Sequence, residues 1–251
     1  MSNPFDLEGQ VAAVTGANTG LGRAIAESLA AAGADLALIG RSDPAQTLAA
    51  IHGLGRRATW IECDLGGKPD YRGVIREITG RLGGLHVLVN NAGIIRRANA
   101  IDFTEADWDA VFDVNLKAVF FLSQAAARHM IPAGGGRIIN IASMLSFQGG
   151  IRVPSYTASK SGIAGLTRLL ANEWAGHGIN VNAIAPGYFA TNNTAALQAD
   201  ATRNAEILAR IPAGHWGQPA DLGGAAVFLA SNAARYVHGI ILPVDGGWLA
   251  R

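Results

Sequence analysis

Short apolar runs alternate along the chain with longer stretches whose apolar residues recur at helical spacing. Residues 11–15 (VAAVT), 35–40 (DLALIG), 57–62 (RATWIE) and 85–89 (LHVLV) are short, apolar and bounded by turn residues, which predicts buried strands. Residues 137–142 (RIINIA), 179–185 (INVNAIA) and 238–244 (HGIILPV) read the same way. Between them, helical periodicity covers 23–32, 44–54, 68–82, 104–130, a segment opened by Pro154, and 218–229. Strands apolar on both faces, each followed by a helix, predict an α/β fold: one doubly wound, parallel sheet of the Rossmann type, flanked by helices. No linker or repeat divides residues 1–251, so one domain is expected, with ligands at the carboxyl ends of the strands. Residues 188–212 are of mixed polarity and are expected to cover that end.

Composition narrows the class. Of 251 residues, 49% are hydrophobic and 16% charged, enough for a core and too few charges for disorder. A net charge of +1 argues against a dedicated nucleic-acid binder. The only cysteine, Cys63, can form no intrachain disulfide, which fits a reducing cytoplasm. The opening Met-Ser-Asn-Pro-Phe-Asp lacks a signal-peptide layout, and no apolar run approaches the roughly 20 residues that span a bilayer, so no membrane role is expected.

The chemistry-bearing stretches fall at strand ends. Gly16-Ala-Asn-Thr-Gly-Leu-Gly22 links the first strand to the first helix, where glycines let a backbone approach a pyrophosphate and the helix N-terminus favours its charge. Its spacing is neither the common G-x-G-x-x-G nor a Walker loop. The second strand ends in Gly40-Arg41-Ser42 and not in the carboxylate that would hold ribose hydroxyls, which favours NADP(H) and leaves NAD(H) possible. Asp64, followed by Leu65, could accept from an adenine amino group or cap the next helix. Asn90-Asn-Ala-Gly93 puts small residues and amides at another strand end. Asn115 lies inside a predicted helix, an unfavourable place for an amide that neither holds a water chain nor fixes a neighbouring backbone. Ser143 ends a strand, and Tyr156 and Lys160 stand one turn apart on the helix after Pro154. An adjacent ammonium stabilises phenolate, so a phenol with an ordinary pKa of about 10 could exchange a proton with an alcohol or carbonyl oxygen. No metal site is expected.

Together these stretches resemble the short-chain dehydrogenase/reductase family over essentially the whole chain. Thr15 to Gly22 matches the family's cofactor turn, Asn90 to Gly93 its strand-end motif, and Asn115, Ser143, Tyr156 and Lys160 its catalytic tetrad. Pro186-Gly187 followed by Thr191 matches the segment that contacts the carboxamide of the nicotinamide. The resemblance implies that Gly16, Asn18, Thr19, Gly20, Leu21, Arg41, Asp64, Leu65, Asn91, Ala92, Gly93, Tyr156, Lys160, Pro186, Gly187 and Thr191 bind the cofactor. It also implies that Tyr156 is the proton donor and acceptor. Lys160 would lower its pKa and bind the ribose, Ser143 would stabilise the substrate oxygen, and Asn115 would hold a water. A homotetramer is implied as well, and Trp248 in the glycine-rich tail could pack across its interface. A narrower resemblance, to the family's dehydrogenases of deoxy sugar acids, rests on residues 142–160, 184–194 and 244–251. A sugar-acid substrate needs a carboxylate ligand, for which Arg152 is the first choice and Arg96 and Arg97 the others, while Gln148, Tyr188 and Asn193 could meet hydroxyls. The competing readings are a 3-oxoacyl-carrier-protein reductase and a nucleotide-binding regulator without catalysis.

Overall fold

The structure, a computed structural model, describes residues 3–251. Seven parallel strands form one sheet in the order β3-β2-β1-β4-β5-β6-β7. They are β1 Val11–Thr15, β2 Asp35–Gly40, β3 Ala58–Glu62, β4 Val87–Asn90, β5 Gly136–Ile141, β6 Ile179–Pro186 and β7 Ile241–Val244. The order reverses between β1 and β4, and the glycine turn and Asn90-Asn-Ala-Gly93 flank that gap.

Alternating strand residues feed two cores, which is why the strands are apolar throughout. Ala12, Val14, Leu36, Leu38, Val87, Val89, Ile139 and Ile141 pack under α1 (Gly20–Ala31), α2 (Ala45–Gly53) and α9 (Gly223–Ala230). Val11, Ala13, Ala37, Ile39, Leu88 and Ile138 face α3 (Tyr71–Leu82), α5 (Ala118–Met130) and α6 (Pro154–Trp174). Polar residues inside the second core are paired: the Asn90 side-chain amide donates to Ser123 and Asn140, and Asn140 donates to Thr167.

Three departures from the sequence pattern have local causes. The run 104–130 is α4 (Glu105–Phe112), a π turn over Asp113–Lys117, and then α5. Thr104 caps its start by accepting from the Asp107 N–H at 3.1 Å. The run Glu105–Met130 reaches a mean hydropathy of 1.2, so by length and composition it does meet the threshold for crossing a membrane. Ala118, Leu122, Ala126 and Met130 instead bury its second half against the sheet. The predicted helix 218–229 starts as a 3-10 turn, Pro219–Leu222, before α9. The expected covering stretch holds two short helices, α7 (Ala195–Ala199) and α8 (Ala201–Arg210).

β1 and β4 are also tied at their amino ends, where the Val11 N–H donates to Nδ1 of His86 at 2.9 Å. That bond requires a neutral ring, and burial, with a smaller push from His129, holds the His86 pKa below its ordinary value of 6.5. The unfolded chain therefore takes up this proton first as pH falls, so stability is present above about pH 6.5 and declines below it. We expect Tm to fall on going from pH 7 to 5 and His86→Asn, which keeps an acceptor without a titrating ring, to flatten that decline in a calorimetric pH series.

Candidate active site

The glycine turn is built for a close approach. Gly16 and Gly20 have φ of +66° and +56°, values that side chains resist. A Cβ on Gly22 would stand 2.2 Å from the Gly16 carbonyl oxygen and 2.3 Å from Nδ2 of Asn91. Asn91 donates from Nδ2 to the carbonyls of Thr15 and Gly16, and the Thr15 hydroxyl accepts from the N–H groups of both Asn91 and Ala92. Asn91 thus shapes the turn through its side chain. Thr19 stands at the N-cap of α1 without a side-chain bond, leaving the first-turn N–H groups of Gly20, Leu21 and Gly22 without a side-chain cap. Glycines with no room for a Cβ and an uncapped helix start fit the pyrophosphate of a dinucleotide. Thr191 closes this space from the other side: its methyl group would meet a Cβ on Gly20 at 3.7 Å. Gly187 lies too close to Asp245 for any side chain, and its N–H donates to the Val244 carbonyl at 2.9 Å. At the adenosine end, Arg41 is exposed, with Nε 3.9 Å from Oδ1 of Asp64. Asp64 also accepts from the Gly66 N–H at 3.1 Å; it does not cap α3, whose N-cap position is Asp70, and Leu65 is buried in the core.

The reacting groups meet at the carboxyl end of β5 and the start of α6. Ser143 is 9% exposed, and its Oγ accepts from the Leu145 N–H at 3.2 Å, which leaves its own proton for an acceptor on the Tyr156 side. Burial pushes the Tyr156 phenol above its ordinary value, while a hydrogen bond from Ser143 and the charge of Arg97 pull it back. Lys160 is buried, and burial lowers it from 10.5 to about 8. Its ammonium lies 5.7 Å from the Tyr156 ring centroid and donates to the Ile141 carbonyl at 2.5 Å. Lys160 thus stands over the Tyr156 ring as the helical spacing implies, and the charge of Arg97 acts on the phenol from another side. Asn115 sits in the π turn and is fully buried. Its Oδ1 accepts from the Ile94 N–H at 2.8 Å, and its Nδ2 donates to the Ile94 carbonyl at 2.9 Å and to Ser159 at 3.4 Å. Both ends of the amide fix the backbone just past Gly93. The extra residue of a π turn aims the amide sideways at that loop.

A family profile described as enoyl-(acyl carrier protein) reductase matches residues 16–249. The chain belongs to the short-chain dehydrogenase/reductase family. It is 59% identical over 248 residues, covering 98% of each chain, to the 2-dehydro-3-deoxy-D-gluconate 5-dehydrogenase of Escherichia coli K12. Among solved structures it is similar to one from Agrobacterium tumefaciens with bound NADP, at 60% identity, TM-score 0.94 and full coverage of both chains. It is also similar to the gluconate 5-dehydrogenase of Burkholderia cenocepacia J2315, in complex with NADP and tartrate, at 40% identity, TM-score 0.95, and 99% and 98% coverage.

As a short-chain dehydrogenase/reductase the chain offers fewer free substrate ligands than its sequence suggested. Arg96 is paired with Asp107 at 3.1 Å. Arg152 is exposed and has φ of +61°, and what it contributes to the loop is its carbonyl, which accepts from the Ala98 N–H at 3.1 Å. Oε1 of Gln148 already accepts from Arg210 at 3.2 Å and from Trp248 at 3.3 Å. Tyr188 packs edge-on to Trp216 at 5.4 Å and tilted on Trp248 at 4.8 Å. Trp248 is 5% exposed within its own chain, where it packs on Tyr188. Asn193 takes part through its backbone, its carbonyl accepting from Arg97 at 3.4 Å. Arg97, offered by the sequence alongside Arg96 after Arg152, is the arginine that bonds to the covering segment, and its charge acts on Tyr156. Thr15 and Gly22 stood in the recognised turn but were not singled out; the signal was a hydroxyl and a glycine at a strand–helix junction. Asn115→Ala would leave the half-buried Ile94 N–H and carbonyl without their side-chain partner; at up to about 1 kcal/mol for each part-exposed group, we expect a drop in the urea midpoint together with loss of turnover.

Proposed function

We propose that the protein is a cytoplasmic NADP(H)-dependent dehydrogenase of deoxy sugar acids. Its reaction interconverts 2-dehydro-3-deoxy-D-gluconate and 3-deoxy-D-glycero-2,5-hexodiulosonate, a step in hexuronate breakdown; oxidation of 2-deoxy-D-gluconate at C3 needs the same groups. The observation that carries this reading is Arg97, a guanidinium with no carboxylate partner among the described residues, which reaches the Asn193 carbonyl of the covering segment at 3.4 Å and whose charge acts on the half-buried Tyr156. A substrate with an anionic end and a reducible carbonyl suits that pair. The 59% identity to a 2-dehydro-3-deoxy-D-gluconate 5-dehydrogenase and the NADP bound in two similar structures support substrate class and cofactor.

Bound at the glycine turn, the cofactor's nicotinamide supplies or accepts the hydride. Tyr156 gives its proton to the substrate oxygen during reduction and takes it back during oxidation. Ser143, which spends its acceptor on Leu145, donates its hydroxyl proton to that oxygen and stabilises its developing charge. Lys160, near pKa 8, can carry or release a proton next to the phenol at moderately alkaline pH. Arg97 holds the substrate carboxylate in place of Arg152, and Arg41 meets the 2′-phosphate. An apolar groove of about 510 Å³ between α5 and α6, with Phe121 and Leu169 exposed in it, supports packing against a second copy within a homotetramer.

The test is to mix the purified protein with 3-deoxy-2,5-diketo-hexonate and follow reduced-nicotinamide absorbance with NADPH and NADH in parallel. We expect rapid oxidation of NADPH, and in Arg41→Ala a KM for NADPH raised about tenfold, as one lost charge-assisted contact implies, with NADH little changed. No oxidation by protein that binds cofactor would discard the substrate; a 3-oxoacyl thioester is the control. Arg97→Ala is expected to raise the sugar-acid KM by roughly ten- to a hundredfold, with Arg152→Ala near wild type. The reverse order would return the carboxylate to Arg152.

A further inference from the structure

The carboxyl-terminal residues fold back as a seat for the covering segment. Asp245 accepts from the Gly247 and Leu249 N–H groups, both at 2.9 Å, while Gly246 and Gly247 at φ of +64° and +89° turn the chain. This brings Trp248 over Arg210, the last residue of α8, whose guanidinium stacks 4.0 Å from the indole centroid. Arg210 and Trp248 then donate to one and the same atom, Oε1 of Gln148, in the loop that follows Ser143. Arg251 adds a bond to the Ala209 carbonyl at 2.8 Å. Three stretches far apart in sequence therefore meet at a single amide oxygen. Elsewhere α8 is held by Ile207, its one fully buried side chain, by Leu208 packed beside it, and by a bond from the Trp216 indole to Asn204 at 2.7 Å.

We propose that Arg210 is a positioning residue for the sugar-acid reaction: by joining α8 to Trp248 and Gln148, it holds residues 188–212 seated beside Ser143. The proposal rests on the sugar-acid reading above. It also accounts for Gln148 and the Trp248 tail, which stood out in the sequence as substrate-side features, without requiring either to touch substrate. With the seat lost, the segment spends more time open and the substrate is held less well, while the proton-transfer groups and the cofactor turn stay as they are.

Two readouts test it: limited chymotrypsin cleavage within 188–212 under native conditions, and steady-state kinetics with the diketo acid. For Arg210→Ala we expect cleavage and the sugar-acid KM each to rise about tenfold, with kcat within about twofold. NADPH affinity, measured by fluorescence titration, should change less than the sugar-acid KM, because Thr191 is the one cofactor-side residue the segment carries. Arg210→Lys, which can still stack and donate, should recover much of both effects. Unchanged cleavage in Arg210→Ala, or a fall in kcat at constant KM, would overturn the proposal. If wild type does not turn over the acid at all, the sugar-acid reading fails, and the cleavage rates still decide whether Arg210 seats the segment.

Discussion

The molecule is organised around a contact that leaves no space for a carbon atom. At the gap between β1 and β4, the Gly16 carbonyl, the Asn91 amide and Gly22 stand so close that a Cβ at Gly22 cannot be placed. Thr15 ties the two sides by accepting from successive N–H groups beyond β4. The sheet reverses its order at this point, so the helices on either side diverge and leave a crevice open. With the junction rigid, the first-turn N–H groups of α1 and the loop after Gly93 hold a fixed relation.

The reacting groups inherit that rigidity. Asn115 grips the Ile94 backbone from a π turn, and Asn90, Asn140, Ser123 and Thr167 link β4 and β5 to α5 and α6 beneath it. The amides and hydroxyls of this network are mutually paired, so it orders its neighbours without stranding its own groups. Burial then tunes the chemistry, lowering Lys160 and raising Tyr156 by the same loss of water. Ser143 and Arg97 act against the second shift, so the phenol is influenced from the substrate side as well as from its own helix.

Above the strand ends the segment 188–212 is held more lightly. Ile207, Ile211, Trp216, Trp248 and Met144 make a small apolar cluster separate from the main cores. Stacking and hydrogen bonds from Arg210 and Arg251 supplement it. A cover held by a few side chains can open without disturbing the sheet, as an enzyme that admits a charged substrate requires.

Much of this was legible in the sequence. The strands at 11–15 and 35–40 have the same bounds in the structure, because apolar residues on both faces and glycines at the ends leave a buried parallel strand no competitor. The glycine turn and the strand-end positions of Asn91 and Ser143 were readable from strand–turn–helix spacing, whereas Asn115, Tyr156 and Lys160 were grouped with Ser143 by family resemblance. The roles of the arginines were not readable. Arg96, Arg97 and Arg152 are the same kind of side chain, and only folding pairs one with Asp107, sets the backbone of another in a left-handed turn and brings the third to Tyr156. The same holds for Gln148 and Trp248, a hundred residues apart and joined by one hydrogen bond. Local pattern determined the elements and the chemistry available at their ends; the tertiary structure decided which charges stay free, because pairing and burial depend on neighbours distant in the chain.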